Sequence, residues 1–538
     1  MSLLGRLFPR LAPRPDGARR GAGRGPSASY LRGGNSPFLF NWRPVLRDSQ
    51  EDVRVAWVAA ASRAIDAIQN SGWLAGGVDI ATAMTVGVGL RLNAQPDADA
   101  LGVSRDEAQA LARRIERRFY LYASRPEECD ISGRMALGQL AAQAYRSWIA
   151  TGEVVGTIRH LRTADSTSAT KLQLIPSHRL SQETRAPDMI QGVRFDTGTG
   201  RPRSYRFRLR LDGMSDEDVM VLARDSAGRP QVVHVFDGAI GQVRGITPLA
   251  PALQVVRQYD QLSNATLTAA LIQAIFAATL KSDAPSAEAF DALRDMAEKL
   301  PPDPESGLPP SPFEVAEGMR ADWYAETKID LGEFGKITHL PTGDELEFHG
   351  SEHPNSTYEA FAKFLLREIA RCLGVTVEQL TGDYSGATYS SVRMATEEIW
   401  KIVEYRREHI IGRLYQMLYE AWLEEEIESG RIAFPGGLAG FWRNRAAATL
   451  ATWRGPVKPT ADDKKTAQAW EILLKNGVVT EEMVCAAYGI DWEDKNEQLA
   501  REARSRRDND LPPAPSASIG HNGGPALDDP EDETEDAA

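Results

Sequence analysis

From Ser390 to about Ser429 the sequence keeps helical apolar spacing with no proline, and Ile399, Ile402, Val403, Ile410, Leu414, Met417, Leu418 and Trp422 fall on one broad face. A helix of that length is on the order of 60 Å long. It sets the scale of the fold, and its apolar face needs protein along most of its length. A second long helix is predicted from Leu253 to Lys281, roughly 40 Å at 1.5 Å per residue. The second half of that helix, TLTAALIQAIFAATL, is rich in Ala and Thr and nearly uncharged. Packing in a ring of identical helices and burial within one monomer account for that composition equally well.

The stretch before the longer helix, Gly374 to Arg393, reads GVTVEQLTGDYSGATYSSVR and contains no catalytic group. Its glycines and hydroxyls suit a connector that places backbone and caps helices. Ser356 or Thr357 caps a helix running to Cys372, Gly374 ends it, and Ser390 or Ser391 starts the long one. The segment reads as an assembly element.

Upstream, helical spacing covers Glu51 to Asn70, with Val55, Val58, Ala59, Ser62, Ile65 and Ile68 on one face, and a Gly-punctuated strand follows at Val86 to Leu92. Helices are predicted over 104–124, opened by a Ser104/Glu107 capping box, and over 133–151. Strands follow at Val154–Leu161, Lys171–Ile175, Gly192–Phe195, Ser204–Leu211 and Val232–Phe236. The fold class is α+β with a mixed or antiparallel sheet. Arg206, Arg208 and Arg210 alternate as one solvated strand face. After a Pro-rich interval at 299–314, Lys336–Leu340 and Glu345–His349 flank a Pro-Thr-Gly-Asp turn and predict a hairpin. Two or three short helices fill Ala461 to Arg507. Residues 1–36 are predicted to be a disordered basic arm, and 508–538 a disordered tail ending in DDPEDETEDAA.

The 538 residues are enough for roughly three or four domains. A net charge of −13 argues against wrapping nucleic acid with a basic surface, since phosphate affinity comes from Lys and Arg. It does not argue against a DNA conduit, where an acidic bore lets the duplex slide. Three scattered cysteines, Cys129, Cys372 and Cys485, exclude a disulfide framework and any Cys-x-x-Cys knuckle, which fits a reducing compartment. The most apolar run, Leu267 to Leu280, is shorter than the roughly 20 residues a bilayer needs, and early prolines break any secretory signal. No membrane association is predicted.

Catalytic strings fail on context. His349-Gly-Ser-Glu352-His353 has the H-x-x-E-H order of inverted zinc peptidases, but Gly350, Ser351 and Pro354 oppose the helix that a shared metal requires. Gly332 to Ile337 lacks the spacing and final hydroxyl of a phosphate loop, and no G-x-S-x-G is present. In the helix-turn-helix pattern of residues 465–494 the second helix is acidic, which opposes entry among phosphates. These readings leave no cofactor, metal or catalytic residue.

Gly374, Val375, Leu380, Gly382, Asp383, Tyr389, Ser390, Ser391 and Arg393 resemble the connector of portal proteins of the lambda-type tailed-phage family. VVHVFDGAIGQVRGITPL, residues 232–249, is similar to a second block of that family, with Gln242, Arg244, Gly245 and Pro248 in its Gly-Gln-x-Arg-Gly and Pro positions. Trp453 to Pro456, Lys464 to Leu474, Gly477 and Gly489 to Asp491 resemble its C-terminal pattern. Val86 to Gly89 keeps the family's Val-Gly-x-Gly form.

The resemblance implies a structural subunit, a homo-oligomer of about twelve copies at one capsid vertex, forming the channel for DNA packaging and ejection. Its implied partners are the terminase large subunit, the major capsid or scaffold protein, a head-completion protein, and duplex DNA passing without sequence specificity. By the same analogy residues 37–250 form a wing, 251–335 a stem helix and clip region, 336–387 a channel hairpin, helix and connector, and 388–507 a helical crown. Asp344, Glu345 and Glu347 become rings of negative charge along the channel, with Lys336 or His339 as a weak basic ring. The same hairpin facing a neighbouring subunit is the competing reading. The alternatives from other classes are a phage-encoded peptidase or other virion-processing enzyme, and a shorter type of head-to-tail connector that lacks the 374–393 block.

Overall fold

The computed structural model describes residues 45–210, 216–275, 278–282, 344–348, 356–459 and 463–512, with a few scattered residues between 291 and 322. Helix α1 spans Ser49–Asn70 and α2 Gly72–Thr85. A turn through Gly87 and Gly89, both at positive φ, leads into strand β1, Arg91–Ala94. The predicted strand at Val86 to Leu92 is therefore shorter and displaced, because its glycines make the turn. Helix α3, Arg105–Ser124, opens with the Ser104/Glu107 capping box, and α4 spans Leu137–Thr151.

All named strands pair antiparallel, which narrows the mixed-sheet expectation. Strands β2 (Glu153–His160), β3 (Thr170–Leu174) and β8 (Val232–Phe236) form one sheet in the order β3-β2-β8. A second holds β4 (Met189–Ile190), β5 (Val193–Phe195), β6 (Pro202–Arg210) and β7 (Asp216–Leu222) in chain order. Val155, Ile175, Val193, Tyr205 and Phe207 pack between the two sheets.

Strand β6 departs from the solvated-face expectation. Arg206 is buried and paired with Glu183 and Asp218, while Arg208 stays half-exposed against the same two acids. A cross-strand acid on β7 and a loop acid at 183 draw Arg206 inward, and neither is visible from local alternation.

Helix α5, Leu253–Ile275, stops short of Lys281, and Ala278–Ser282 is strand β9. It pairs with β10, Asp344–Phe348, in the register Glu345↔Lys281 and Glu347↔Thr279. The partner of the acidic strand thus comes from the end of the second long helical segment. The expected partner at 336–340 lies outside the described residues, as do Lys336 and His339.

Helix α6, Ser356–Leu373, ends at Gly374; a short α7, Val377–Thr381, precedes α8, Tyr389–Arg406. A π turn, Arg407–Gly412, joins α8 to α9, Arg413–Glu428, so the long helix is continuous over about 60 Å. The π turn adds a residue and re-phases the buried face. Ile399, Trp400 and Val403 are buried before it, Ile410 within it, and Leu414, Leu418 and Trp422 after it.

The main core cluster surrounds α9. Trp422 and Tyr419 meet Phe119 of α3 edge-on at ring-centroid separations of 5.1 and 5.7 Å, and Leu74, Leu137, Leu172 and Leu373 close the cluster. It joins residues on both sides of position 388. Beyond it, strand β11, Ala451–Arg454, pairs with β1, and α10 (Asp463–Lys475), α11 (Glu481–Ala487) and α12 (Trp492–Asp508) follow. No described helix is long and apolar enough to cross a membrane.

Helix α1 corrects another expectation. Val53, Trp57, Ala61 and Ala64 are buried, whereas Val55 and Val58 are exposed. The tryptophan, with the largest apolar area on the helix, decides which stripe turns inward.

Candidate assembly site

Two sets of residues singled out in the sequence occupy very different environments. The first surrounds Arg244, whose side chain is fully buried. Its guanidinium is bidentate to Glu153 of β2, with Nε donating to Oε2 at 2.9 Å and Nη2 to Oε1. The remaining donors reach the carbonyls of Gln191 (3.1 Å), Ser177 (3.2 Å) and Ser181 (3.3 Å). Trp57 of α1 lies against the cation, 4.8 Å from ring centroid to guanidinium carbon. Glu153 also bonds His234 Nε2 at 3.1 Å and accepts from the Gly245 amide at 3.2 Å. Burial alone would raise the Glu153 pKa. The Arg244 charge and hydrogen bonds, aided by His234, outweigh it and bring the carboxyl down to about 2.

The neighbours of Arg244 explain the rest of the block. Gln242 accepts from the Ala239 amide (2.8 Å) and donates to the Arg244 carbonyl (2.6 Å), so it holds the turn that delivers the arginine. A Cβ on Gly245 would overlap the Gly152 carbonyl, so only glycine allows this approach. Pro248 is half-buried where the chain turns toward α5. This block ties α1, both sheets and the start of α5 together around one desolvated ion pair. Sequence reading missed Glu153, His234 and Trp57. The signal lay in β2, where an acid opens a strand directly before two valines.

The second set is the connector. Gly374, at φ +78°, ends α6, and its amide donates to the Ala370 carbonyl at 2.9 Å. A Cβ there would strike the guanidinium of Arg406, which donates to the carbonyls of Leu373 and Cys372 and stacks over Trp148. The last turn of α8 thus caps the last turn of α6. Thr376 and Gln379 form a capping box on α7, and Gly382, at φ +69°, closes it.

Asp383 receives the Ser385 amide (3.0 Å) and hydroxyl (2.6 Å) and pairs with Lys363 at 2.6 Å. The Lys363 and Ser385 hydrogen bonds hold its carboxyl well below the usual range. Thr388, rather than Ser390 or Ser391, caps α8; Ser391 completes the capping box at the third helical position. The shift is local, since a Thr one residue before a Tyr-Ser-Ser run caps as well as Ser does.

Tyr389, Ser390 and Arg393 are exposed, as are Tyr384 and Met394. Among the described residues Arg393 makes no ion pair. Arg407, the first residue of the π turn, donates instead to the carbonyls of Thr85 (3.0 Å), Met84 (2.9 Å) and Pro456 (3.0 Å), which locks α2 to the long helix. Nothing in the sequence pattern marked it.

A third feature was legible only as composition. Glu424, Glu425 and Glu426 are buried at the C-terminus of α9, where the helix dipole disfavours anions. Arg445 (2.8 Å), Arg431 (3.0 and 2.7 Å) and Arg118 (2.5 Å) pair with them, and the Ala169 and Thr170 amides donate to Glu425 at 2.7 Å each. Among the described residues no group of three or more His, Cys, Asp or Glu is placed to hold a metal. The His349 to His353 string lies outside them.

Long helices sharing one core with small antiparallel sheets, and sequence blocks that serve packing and capping, fit a structural, assembly-type protein. The family model described as phage portal protein, lambda family, matches residues 36–407, and the chain belongs to that family of structural proteins. It is a tailed-phage portal protein. The portal protein of Escherichia phage N15 is 27% identical over 497 residues, covering 90% of this chain and 92% of that protein. Portal protein B of Escherichia phage lambda is 25% identical over 504 residues, covering 91% and 92%. A solved chain from the neck of an empty GTA particle, computed with C6 symmetry, aligns over 88% of this chain and 96% of its own, at 14% identity and a TM-score of 0.44.

Proposed function

We propose that this portal subunit closes into a homo-oligomeric ring of about twelve copies at one capsid vertex. The ring is the channel for DNA packaging and ejection. Its outward part docks the terminase large subunit and then a head-completion protein, and its rim meets the major capsid or scaffold protein. Assembly takes place in the host cytoplasm, and the protein acts structurally, without catalysis. The observation that carries this reading is the match to the lambda portal family over residues 36–407, with relatives aligned along 90% or more of the chain.

Within the ring, residues 37–250 form the wing, α5 belongs to the stem, and the clip lies before residue 335. The helices after 388 form the crown, with their apolar seam rooted in the wing through α9. The connector motif residues from Gly374 to Arg393 hold the joint between these parts. Light scattering on the purified subunit tests the ring: particles of very roughly 0.7 MDa are expected, from 59.0 kDa and about twelve copies. A chain that stays monomeric under every condition contradicts it.

Asp344, Glu345 and Glu347 on β10 supply rings of negative charge that keep a sliding duplex from adhering. Replacing Asp344 and Glu345 with lysine is expected to impair packaging while rings still form. Normal packaging by that variant contradicts the assignment.

A further inference from the structure

Between α8, the segment after β11, and α10 with α11 lies an open cleft of about 560 Å³. Its walls are aromatic: Trp400, Trp453, Trp470 and Tyr488. They also carry five cations, Arg393, Lys401, Arg407, Arg454 and Lys458, against two carboxylates, Glu397 and Glu404. That excess is conspicuous in a chain of net charge −13.

Two of these cations are matched: Lys458 pairs with Glu397, and Arg454 with Asp491 at 3.3 Å. Glu404 instead accepts the Trp400 indole N–H at 2.8 Å. Among the described residues Arg393, Lys401 and Arg407 have no carboxylate in ion-pair contact, and Arg407 spends its donors on three backbone carbonyls. These charges converge on one cleft, so an anion held there meets several cations at once.

The chain itself supplies a matching anion. Between Asp528 and Asp536 it carries seven acids and no base. Helix α12 starts at the cleft, where its N-cap Asp491 pairs with Arg454, and runs about 25 Å to its end. There Asp510 sits at φ +51°, and Arg506 donates to the Pro512 carbonyl at 2.9 Å, so the chain has left the helix axis. The fifteen residues from 513 to 527 can reach roughly 50 Å at full extension, more than the length of α12, so the acids can return to the cleft.

We propose that the acidic segment Asp528–Asp536 of the same copy seats in this cationic, aromatic cleft. The competing seat is the basic second half of α12, with Arg501, Arg504, Arg506 and Arg507; Arg393 and Lys401 are exposed too, but they border aromatic side chains, whereas that half of α12 carries no aromatic residue. That half of α12 contains no lysine, which gives the test its resolution. The proposal does not depend on ring formation.

Carbodiimide coupling on the full-length chain, read by mass spectrometry, is expected to join Lys401 or Lys458 to Asp528–Asp536. The yield should fall about tenfold between 50 mM and 1 M salt. Mixing isotope-labelled and unlabelled chains should leave these links within one label. In a second measurement, acetylation of Lys401 in the full chain should rise several-fold when the seven acids become Asn and Gln. Links confined to Lys299, Lys363 or Lys495, links only between copies, or an acetylation rate unmoved by neutralising the tail would each overturn the proposal.

Discussion

The Arg244 node and the 374–393 connector both stand out in the sequence, yet physics holds them in opposite ways. At Arg244 a charge is desolvated among α1 and two sheets, and among the described residues its carboxylate partner pairs with no other Lys or Arg. The connector keeps most of its polar groups at the surface, and its order comes from two positive-φ glycines and two capping boxes. One block fixes the body by electrostatics in low dielectric. The other fixes the direction of two helices by backbone geometry and leaves Tyr389, Ser390 and Arg393 exposed.

The contrast can be broken most forcefully at the buried pair. Arg244→Met is expected to cost about 3–5 kcal/mol in urea unfolding, because it strands the Glu153 charge. The double variant with Glu153→Leu should recover much of that loss; equal losses in both would place the effect in packing rather than charge. The same node sets an acid limit. The folded Glu153 pKa, about 2, lies below the ordinary 4.5 of a glutamate, so its stabilisation is present above about 4.5 and lost as pH falls toward 2. Lys363→Met, which removes the exposed partner of Asp383, should barely alter the acid transition.

Smaller effects sharpen the connector side. Gly374→Ala meets both an unfavourable φ and the Arg406 guanidinium, whereas Gly382→Ala meets the φ alone, with open space around it. About 1–2 kcal/mol is expected from the left-handed backbone in each, with a further loss at 374 from the displaced Arg406. Equal melting temperatures would refute the interlock between α6 and α8.

What the sequence made legible was local. The Ser104 capping box, the stop at Gly374 and strands β2, β3, β5 and β8 stand within a residue or two of their expected places, because each is encoded by neighbours in the chain. The misses depend on partners far away. Arg206 is buried because Asp218 and Glu183 reach it, α1 turns on Trp57, and β10 finds β9 about sixty residues upstream. Among the site residues the glycines and caps announced their roles. Arg244 announced only its motif, since Glu153 is supplied by a strand 91 positions earlier.

The central claim is that the connector's exposed face serves assembly while its glycines and caps serve the fold. Arg393→Glu tests it most directly, by mass photometry beside thermal unfolding of the same sample. The account predicts an unchanged melting temperature, with particles falling from very roughly 0.7 MDa toward the 59.0 kDa subunit. Full-size particles, or a melting temperature that falls together with the mass, would contradict it.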